Sequence, residues 1–424
     1  MRRYARARAL LSRHLAEFPK RTTADDSALL LAEIARKQGH GAKADRILFN
    51  AIRTYPKGDM ADTIAWDLLW PQIKNRRLTK ARRVAEKLLK LKRREVASGA
   101  EGRTRYWYGW ILNALGKKRA ARVAWRRLLK EHPLSWYAML AHARLRTRSV
   151  RTATRELSKT IAASPQPPNP LHITDAKLLA DPHFKRAVLF ARMGLKQTAI
   201  REMKRWDTSI SWKTRQWAKA AVFAAVGASG RATSLARSAL RRHSNVWPRP
   251  RIQAAWKLAY PKAFHGLVTR WSRARRIDPY WVWSVMRTES NFNPHVVSWA
   301  SAVGLMQIIL PTARALARRT GIRVNRTTLK RPEISVQLGT KYLAQLLRRH
   351  RHLPLASTGY NAGGGAVKRW RRAFGNLELD EFVEHIPYDE ARRYTKRVAS
   401  SRATYHWLYE GKWPTISLRA PGAI

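Results

Sequence analysis

One carboxylate, Glu289, ends a stretch whose residue types suit acid chemistry. The run DPYWVWSVMRTE places Trp281 and Val285 on one helical face, with Val282 and Met286 beside it. A polar segment that reaches Asn293-Pro294 follows at once. Apolar residues at i, i+3 and i+4 mark an amphipathic helix, and Asn-Pro marks its stop. A carboxylate at the end of such a helix meets the partial negative charge of the last carbonyls and loses hydration. Both effects favour the protonated form near neutral pH. A carboxyl kept protonated in apolar surroundings can act as a general acid on a glycosidic oxygen.

The polar company of Glu289 narrows that chemistry. Ser298 comes first, then Gly304-Leu305-Met306-Gln307, and later Gly359-Tyr360-Asn361-Ala362-Gly363. A last cluster reads Ile386-Pro387-Tyr388-Asp389-Glu390-Ala391-Arg392-Arg393-Tyr394. The next acid downstream of Glu289 is Glu333, so no second carboxylate stands beside it in sequence. Other chemistries fail on inspection. Cysteine is absent, which removes thiol nucleophiles, disulfides and zinc-thiolate sites. The 13 histidines show neither H-E-x-x-H nor another metal-ligand spacing. Gly227-Ala228-Ser229-Gly230 is a turn rather than a nucleophile elbow. Gly363-Gly364-Gly365 with Lys368 lacks the phosphate-loop pattern. No metal and no nucleotide cofactor is implied.

Taken together and in this order, the four groups resemble the soluble lytic transglycosylases of the bacterial cell envelope, whose catalytic domain has a goose-lysozyme-like helical fold. The resemblance implies peptidoglycan as substrate, cut between N-acetylmuramic acid and N-acetylglucosamine. Most glycosidases need two carboxyl groups; the resembled family uses one. Its glutamate, here Glu289, protonates the leaving oxygen and then deprotonates the muramyl C6 hydroxyl, which closes a 1,6-anhydro ring. By the same resemblance Ser298 and Gln307 bind substrate N-acetyl or hydroxyl groups, and Met306 lines the cleft. Tyr360 and Asn361 come from a glycine-bracketed loop, and Glu390 reaches back into the cleft. Arg392 and Tyr394 are read as structural. Some positions depart from the family pattern. Ser301 stands where a turn glycine is usual, Pro311 comes one place late, and Ala391 replaces a threonine. If position 301 needs a positive φ, a serine there is strained.

Elements able to position these groups extend over most of the 424 residues. Apolar content of 45% supports real cores. Helix pairs recur from Ser27 to about Leu145, with small residues at crossings, glycine at turns and Pro56 and Pro133 at ends. They resemble tetratricopeptide-like units, which stack into a superhelix. Ser164-Pro165-Gln166-Pro167-Pro168-Asn169-Pro170 reads as a stiff connector. Trp256, Leu258, Ala259, Tyr260 and Pro261 resemble the segment that introduces the family's catalytic domain. The expected fold is therefore all-α: a superhelical arm over residues 1–261, broken near 164–170, and a lysozyme-like domain over 262–424.

The formal net charge of +58, from 85 Lys+Arg against 27 Asp+Glu, implies anionic surroundings. Anionic wall or lipid polymers, and other wall enzymes, are candidate partners beside peptidoglycan strands. A competing reading is a basic helical-repeat scaffold for nucleic acid or an envelope polymer, with an inactive lysozyme-like domain; a hydrolytic lysozyme is a third. The resemblance implies a periplasmic or envelope location. The opening MRRYARARALLSRHLAEFPK nevertheless shows no apolar signal core, and no stretch is long enough to span a membrane.

Overall fold

A computed structural model describes residues 2–91, 100–147, 149–206, 210–240, 246–318 and 320–422. Among these residues the secondary structure is helical, with two isolated β-bridges, Val297 to Val303 and Val303 to Ile308. No helix among them is long and apolar enough to cross a membrane. Contacts divide the chain into two compact units, Met1–Thr160 and Ile161–Ile424.

The first unit is a succession of antiparallel helix pairs, each packed on its chain neighbours. The amphipathic patterns settle as expected: Ala24–Lys37 pairs with Gly41–Thr54, and Arg103–Ala114 with Lys118–Glu131. Gly39 and Gly116 hold φ of +81° and +76° at the turns, a conformation that costs other residues energy. Gly109 has a different task. A Cβ there would lie 2.5 Å from Trp125 Nε1, so its absence lets the two helices close up. The expected tetratricopeptide-like arm is this stack.

The second unit begins at Ile161, just before the proline-rich connector, and not at Pro261. The reason lies in side chains that cross the expected boundary. Arg287 Nε donates to Ala259 O at 2.8 Å, and its guanidinium lies 4.0 Å from the Tyr260 ring centroid. Tyr405 Oη donates to Pro261 O and Tyr409 Oη to Tyr260 O, each at 2.9 Å. Trp407 Nε1 donates to Pro248 O at 2.9 Å, while its ring meets Trp247 edge-on at 5.2 Å. Further upstream, Asn291 Nδ2 donates to Gly230 O at 2.7 Å. Helices before Pro261 thus share packing and polar contacts with those after it.

Four helices of the second unit frame the site: the acid helix Pro279–Glu289, the central helix Pro332–His350, the tyrosine helix Leu353–Ala362 and the terminal helix Asp389–Glu410. The acid and tyrosine helices both pack on the terminal helix, and the central helix packs on the tyrosine helix. Their apolar faces enclose a core that includes Trp281, Val285, Met286, Met306, Leu343 and Val398.

Candidate active site

Glu289 is the last residue of the acid helix, and the start of that helix fixes its direction. Asp278 caps the N-terminus, its carboxylate accepting from Tyr280 N at 2.9 Å, and Pro279 takes the first helical position. The Asp278 carboxylate also receives Arg402 and His406 from the terminal helix. Burial pushes this carboxyl up, but His406 and Arg402 hold it below its ordinary value. The cap is therefore also a clamp between two helices.

Along the same helix Trp281 Nε1 donates to Ser357 Oγ at 2.9 Å and Trp283 Nε1 to Ala263 O at 2.8 Å. Ser290, directly after the acid, donates to both Met286 O (3.1 Å) and Leu305 O (2.8 Å). That bifurcated bond ties the helix end to the loop that follows. A helix held at its cap, flank and end cannot easily rotate its terminal carboxylate out of place.

Around Glu289, Tyr394 Oη donates a hydrogen bond of 2.6 Å to Oε1. Glu289 keeps a minor solvent-exposed face and is surrounded by protein elsewhere. Burial is the chief reason its pKa is pushed up to about 7; the Tyr394 bond and the Arg397 charge act in the opposite sense, and Glu390 adds to the rise. The carboxyl is thus poised near neutrality, where it can both give and take a proton. Among the described residues nothing hydrogen-bonds Oε2, which leaves that oxygen for a ligand.

Tyr394, expected to be structural, also touches the acid. It lies in the long terminal helix and is only 2% exposed. Its hydroxyl, however, points at the acid. The signal available in sequence was its fixed place after Glu390-Ala391-Arg392. Arg392 does act as a strut: Nη1 donates to Ile386 O at 2.8 Å.

Tyr360 and Asn361 lie in the last turn of the tyrosine helix, not in a loop. Gly359, expected to bracket a loop, sits inside the helix. A Cβ there would stand 3.1 Å from Leu346 Cδ2 and 3.3 Å from His350 Nε2, so the glycine admits the central helix. Only Gly363, with φ +84°, ends the element. Tyr360 Oη donates to Met306 O at 2.7 Å, so its proton is engaged there rather than at Glu289. Asn361 is exposed.

Met306 departs furthest from expectation. Its side chain is fully buried and forms part of the core rather than an open cleft wall. It fills the space left by Gly339 of the central helix, where a Cβ would lie 2.6 Å from Met306 Cγ. Gln307 holds φ +46° and spends its amide N–H groups on Val296 O (3.0 Å) and Gly304 O (2.9 Å). Ser298 Oγ accepts from Ala302 N at 3.0 Å, closing a tight turn. In that turn Ser301 does hold a positive φ, +60°. Glu390 is largely exposed and paired with Arg397 at 2.7 Å. Thus Glu289, Tyr360 and Tyr394 gather with Met306 O, Ser298 and Gln307 build the neighbouring loop, and Glu390 stands outside it.

Elsewhere, Asp25, Asp26 and Asp59 bring ligand atoms within 4.8 Å of one another. Asp25 is already engaged, accepting from Met60 N at 3.0 Å.

Among the described residues of the second unit, one carboxylate, Glu289, is raised to about 7, at a helix end within an all-helical core. Residues 266–383 match the family model for the transglycosylase SLT domain. The soluble lytic murein transglycosylase of Escherichia coli K12 is 27% identical over 324 residues, covering 74% of this chain and 44% of that relative. Its Salmonella typhimurium counterpart is 31% identical over 224 residues, covering 50% and 34%. The chain therefore spans less than half the length of these curated relatives.

Among solved structures, an inactive mutant of the lytic transglycosylase Slt from Pseudomonas aeruginosa aligns with a TM-score of 0.65 at 22% identity, over 97% of this chain and 63% of that one. The 70-kDa soluble lytic transglycosylase complexed with bulgecin A gives 0.57 at 22% identity, over 95% and 67%. At such identity the likeness speaks for the fold: all-α, with a helical arm and a lysozyme-like domain.

Proposed function

We propose that this chain is a peptidoglycan lytic transglycosylase of the cell envelope, cleaving the β-1,4 bond between N-acetylmuramic acid and N-acetylglucosamine, with Glu289 as the one acid and base. The supporting observation is the Glu289 carboxyl, lifted to about 7 by burial and held by Tyr394 at 2.6 Å. In the first step protonated Glu289 gives its proton to the glycosidic oxygen, the C1–O bond breaks, and the N-acetylglucosamine portion leaves as an alcohol. In the second, the Glu289 carboxylate takes the C6 hydroxyl proton while O6 bonds to C1. No water is consumed, and Glu289 returns to its starting state. Tyr394 donates to the carboxylate between the two steps, keeping it oriented and moderating its basicity. The internal hydroxyl replaces an activated water and its base through proximity. Ser298 and Gln307 shape the loop that meets the sugars, and Tyr360 braces that loop through Met306 O.

The test is to digest purified sacculi and analyse the products by mass spectrometry. Anhydromuropeptides from the wild type, reduced by about three orders of magnitude or more in Glu289→Gln, are the expected result. Reducing muramic ends would indicate hydrolysis instead. Salt-sensitive binding of duplex nucleic acid without sugar release would favour the scaffold.

A further inference from the structure

Trp299 is 99% exposed, at the tip of the loop that follows the acid helix. A large aromatic left wholly in water is unusual, because burial of an indole is strongly favourable. Its loop is no loose tether. Ser298 N donates to Ala302 O and Ser301 N to Ser298 O, both at 2.9 Å. Arg326 Nη2 donates to Ser301 Oγ at 3.2 Å from outside the turn. The bridges Val297 to Val303 and Val303 to Ile308 close its base. The indole is therefore presented on a fixed support and would lose little freedom on being covered.

Two features indicate what covers it. Val297 and Ile309, at the base of the same loop, are 45% and 41% exposed. Between residues 290 and 332 the chain carries six Arg and one Lys and no Asp or Glu. An amphipathic indole with aliphatic neighbours, in a segment of one charge sign, matches the boundary between headgroups and acyl chains of an anionic bilayer. A sugar platform needs one ring face and leaves the other packed, whereas here both faces are bare.

We propose that the Trp299 loop is an interfacial membrane anchor, which inserts the indole into the surface of an anionic lipid bilayer while cations of the same segment, Arg326 beside the loop among them, meet its headgroups. Two weak signals together, one apolar and one electrostatic, give reversible attachment. The reading is independent of Glu289 chemistry.

The experiment is co-sedimentation of the full chain with vesicles of phosphatidylglycerol and phosphatidylcholine, and of phosphatidylcholine alone. Wild-type protein should partition onto the anionic vesicles, less so as salt rises, and W299S should reduce that partition about tenfold. Lipids brominated near the headgroup end of the chains should quench wild-type fluorescence but not that of W299F. Circular dichroism should be unchanged, since the side chain touches nothing that holds the fold. Equal partition of W299S and wild type, failure of the wild type to sediment, or stronger binding to neutral vesicles would overturn the proposal. So would a W299S defect confined to purified sacculi, which would mark the indole as a glycan contact.

Discussion

Trp136 in the repeat unit and Trp281 in the acid helix are both fully buried, yet the fold treats them differently. Trp281 Nε1 reaches Ser357 Oγ, and Trp283 beside it reaches Ala263 O. Trp136 Nε1 and Trp107 Nε1 have no acceptor among the described residues. In the repeats the indole of Trp107 serves as volume, tilted against Trp66 and Trp110 and edge-on to Trp70, although Trp125 Nε1 does reach Tyr106 O at 3.2 Å. In the acid helix the indole also serves as a directed bond. Apolar packing sets separation, but only directional contacts set rotation, and a carboxylate proposed to transfer protons needs both. A repeat scaffold can tolerate an unpaired donor; a helix that aims Glu289 cannot tolerate play.

The contrast is sharpest where backbone meets backbone. Gly304 combines φ +80° with an ideal Cβ position 2.1 Å from Leu329 O. Gly304→Ala should cost about 3 kcal/mol or more and abolish turnover, because the loop braced by Ser290 and Tyr360 must shift. Gly116, at φ +76° with nothing within 4 Å of its Cβ position, is the control. Gly116→Ala should cost only about 1 kcal/mol in urea unfolding and leave turnover intact.

Next in size is a pH-dependent cost carried by Glu289. The Glu289 pKa is raised from 4.5 to about 7, so folding disfavours its ionised form. Below the unfolded value both states hold the proton and there is no penalty. As pH rises toward the folded value the unfolded state ionises first, and above it the penalty levels at about 3 kcal/mol. Glu289→Gln should therefore match wild-type stability at low pH and exceed it increasingly from about 4.5 to about 7. A constant difference across that range would remove the case for a desolvated acid. No repeat-unit glutamate should behave alike; Glu131, for instance, is desolvated too, but Arg127 and Arg105 hold it below its ordinary value.

Smaller, but closest to the opening contrast, is a pair of Trp→Phe changes. Each leaves a similar void. Trp281→Phe also strips a bond from Ser357, while Trp136→Phe removes a donor that had no acceptor. The first should cost about 1–2 kcal/mol more than the second in chemical denaturation, and it alone should lower kcat. Equal costs would mean that the indole bonds of the acid helix contribute no net stability.

Much of this was legible in sequence, for physical reasons. Amphipathic period and turn glycines marked the helix pairs, and the apolar face ending at Glu289 marked the acid helix and its raised pKa. What escaped depends on contacts between distant segments. Tyr394 reads as structural in sequence, and only the packing of the terminal helix on the acid helix aims its hydroxyl. Met306 looked like cleft lining because nothing local announces that Gly339 opens a space for it. Gly359 looked like a loop bracket because a glycine inside a helix and one beside a turn read alike. The boundary near Pro261 followed a genuine change of pattern, but Arg287, Tyr405 and Tyr409 bond across it.

Position 301 gives the finest test of the loop. A serine at φ +60° carries roughly 1–2 kcal/mol of left-handed strain, and glycine would relieve it while losing more entropy on folding. The exposed Arg326 bond to Ser301 Oγ opposes the change only weakly. Ser301→Gly should thus stabilise the protein by about 0.5–1 kcal/mol, read as a higher urea midpoint at unchanged slope. A lower midpoint would show that Arg326 holds this turn more firmly than its exposure suggests, and that the loop, like the acid helix, is fixed by side-chain bonds rather than by its backbone alone.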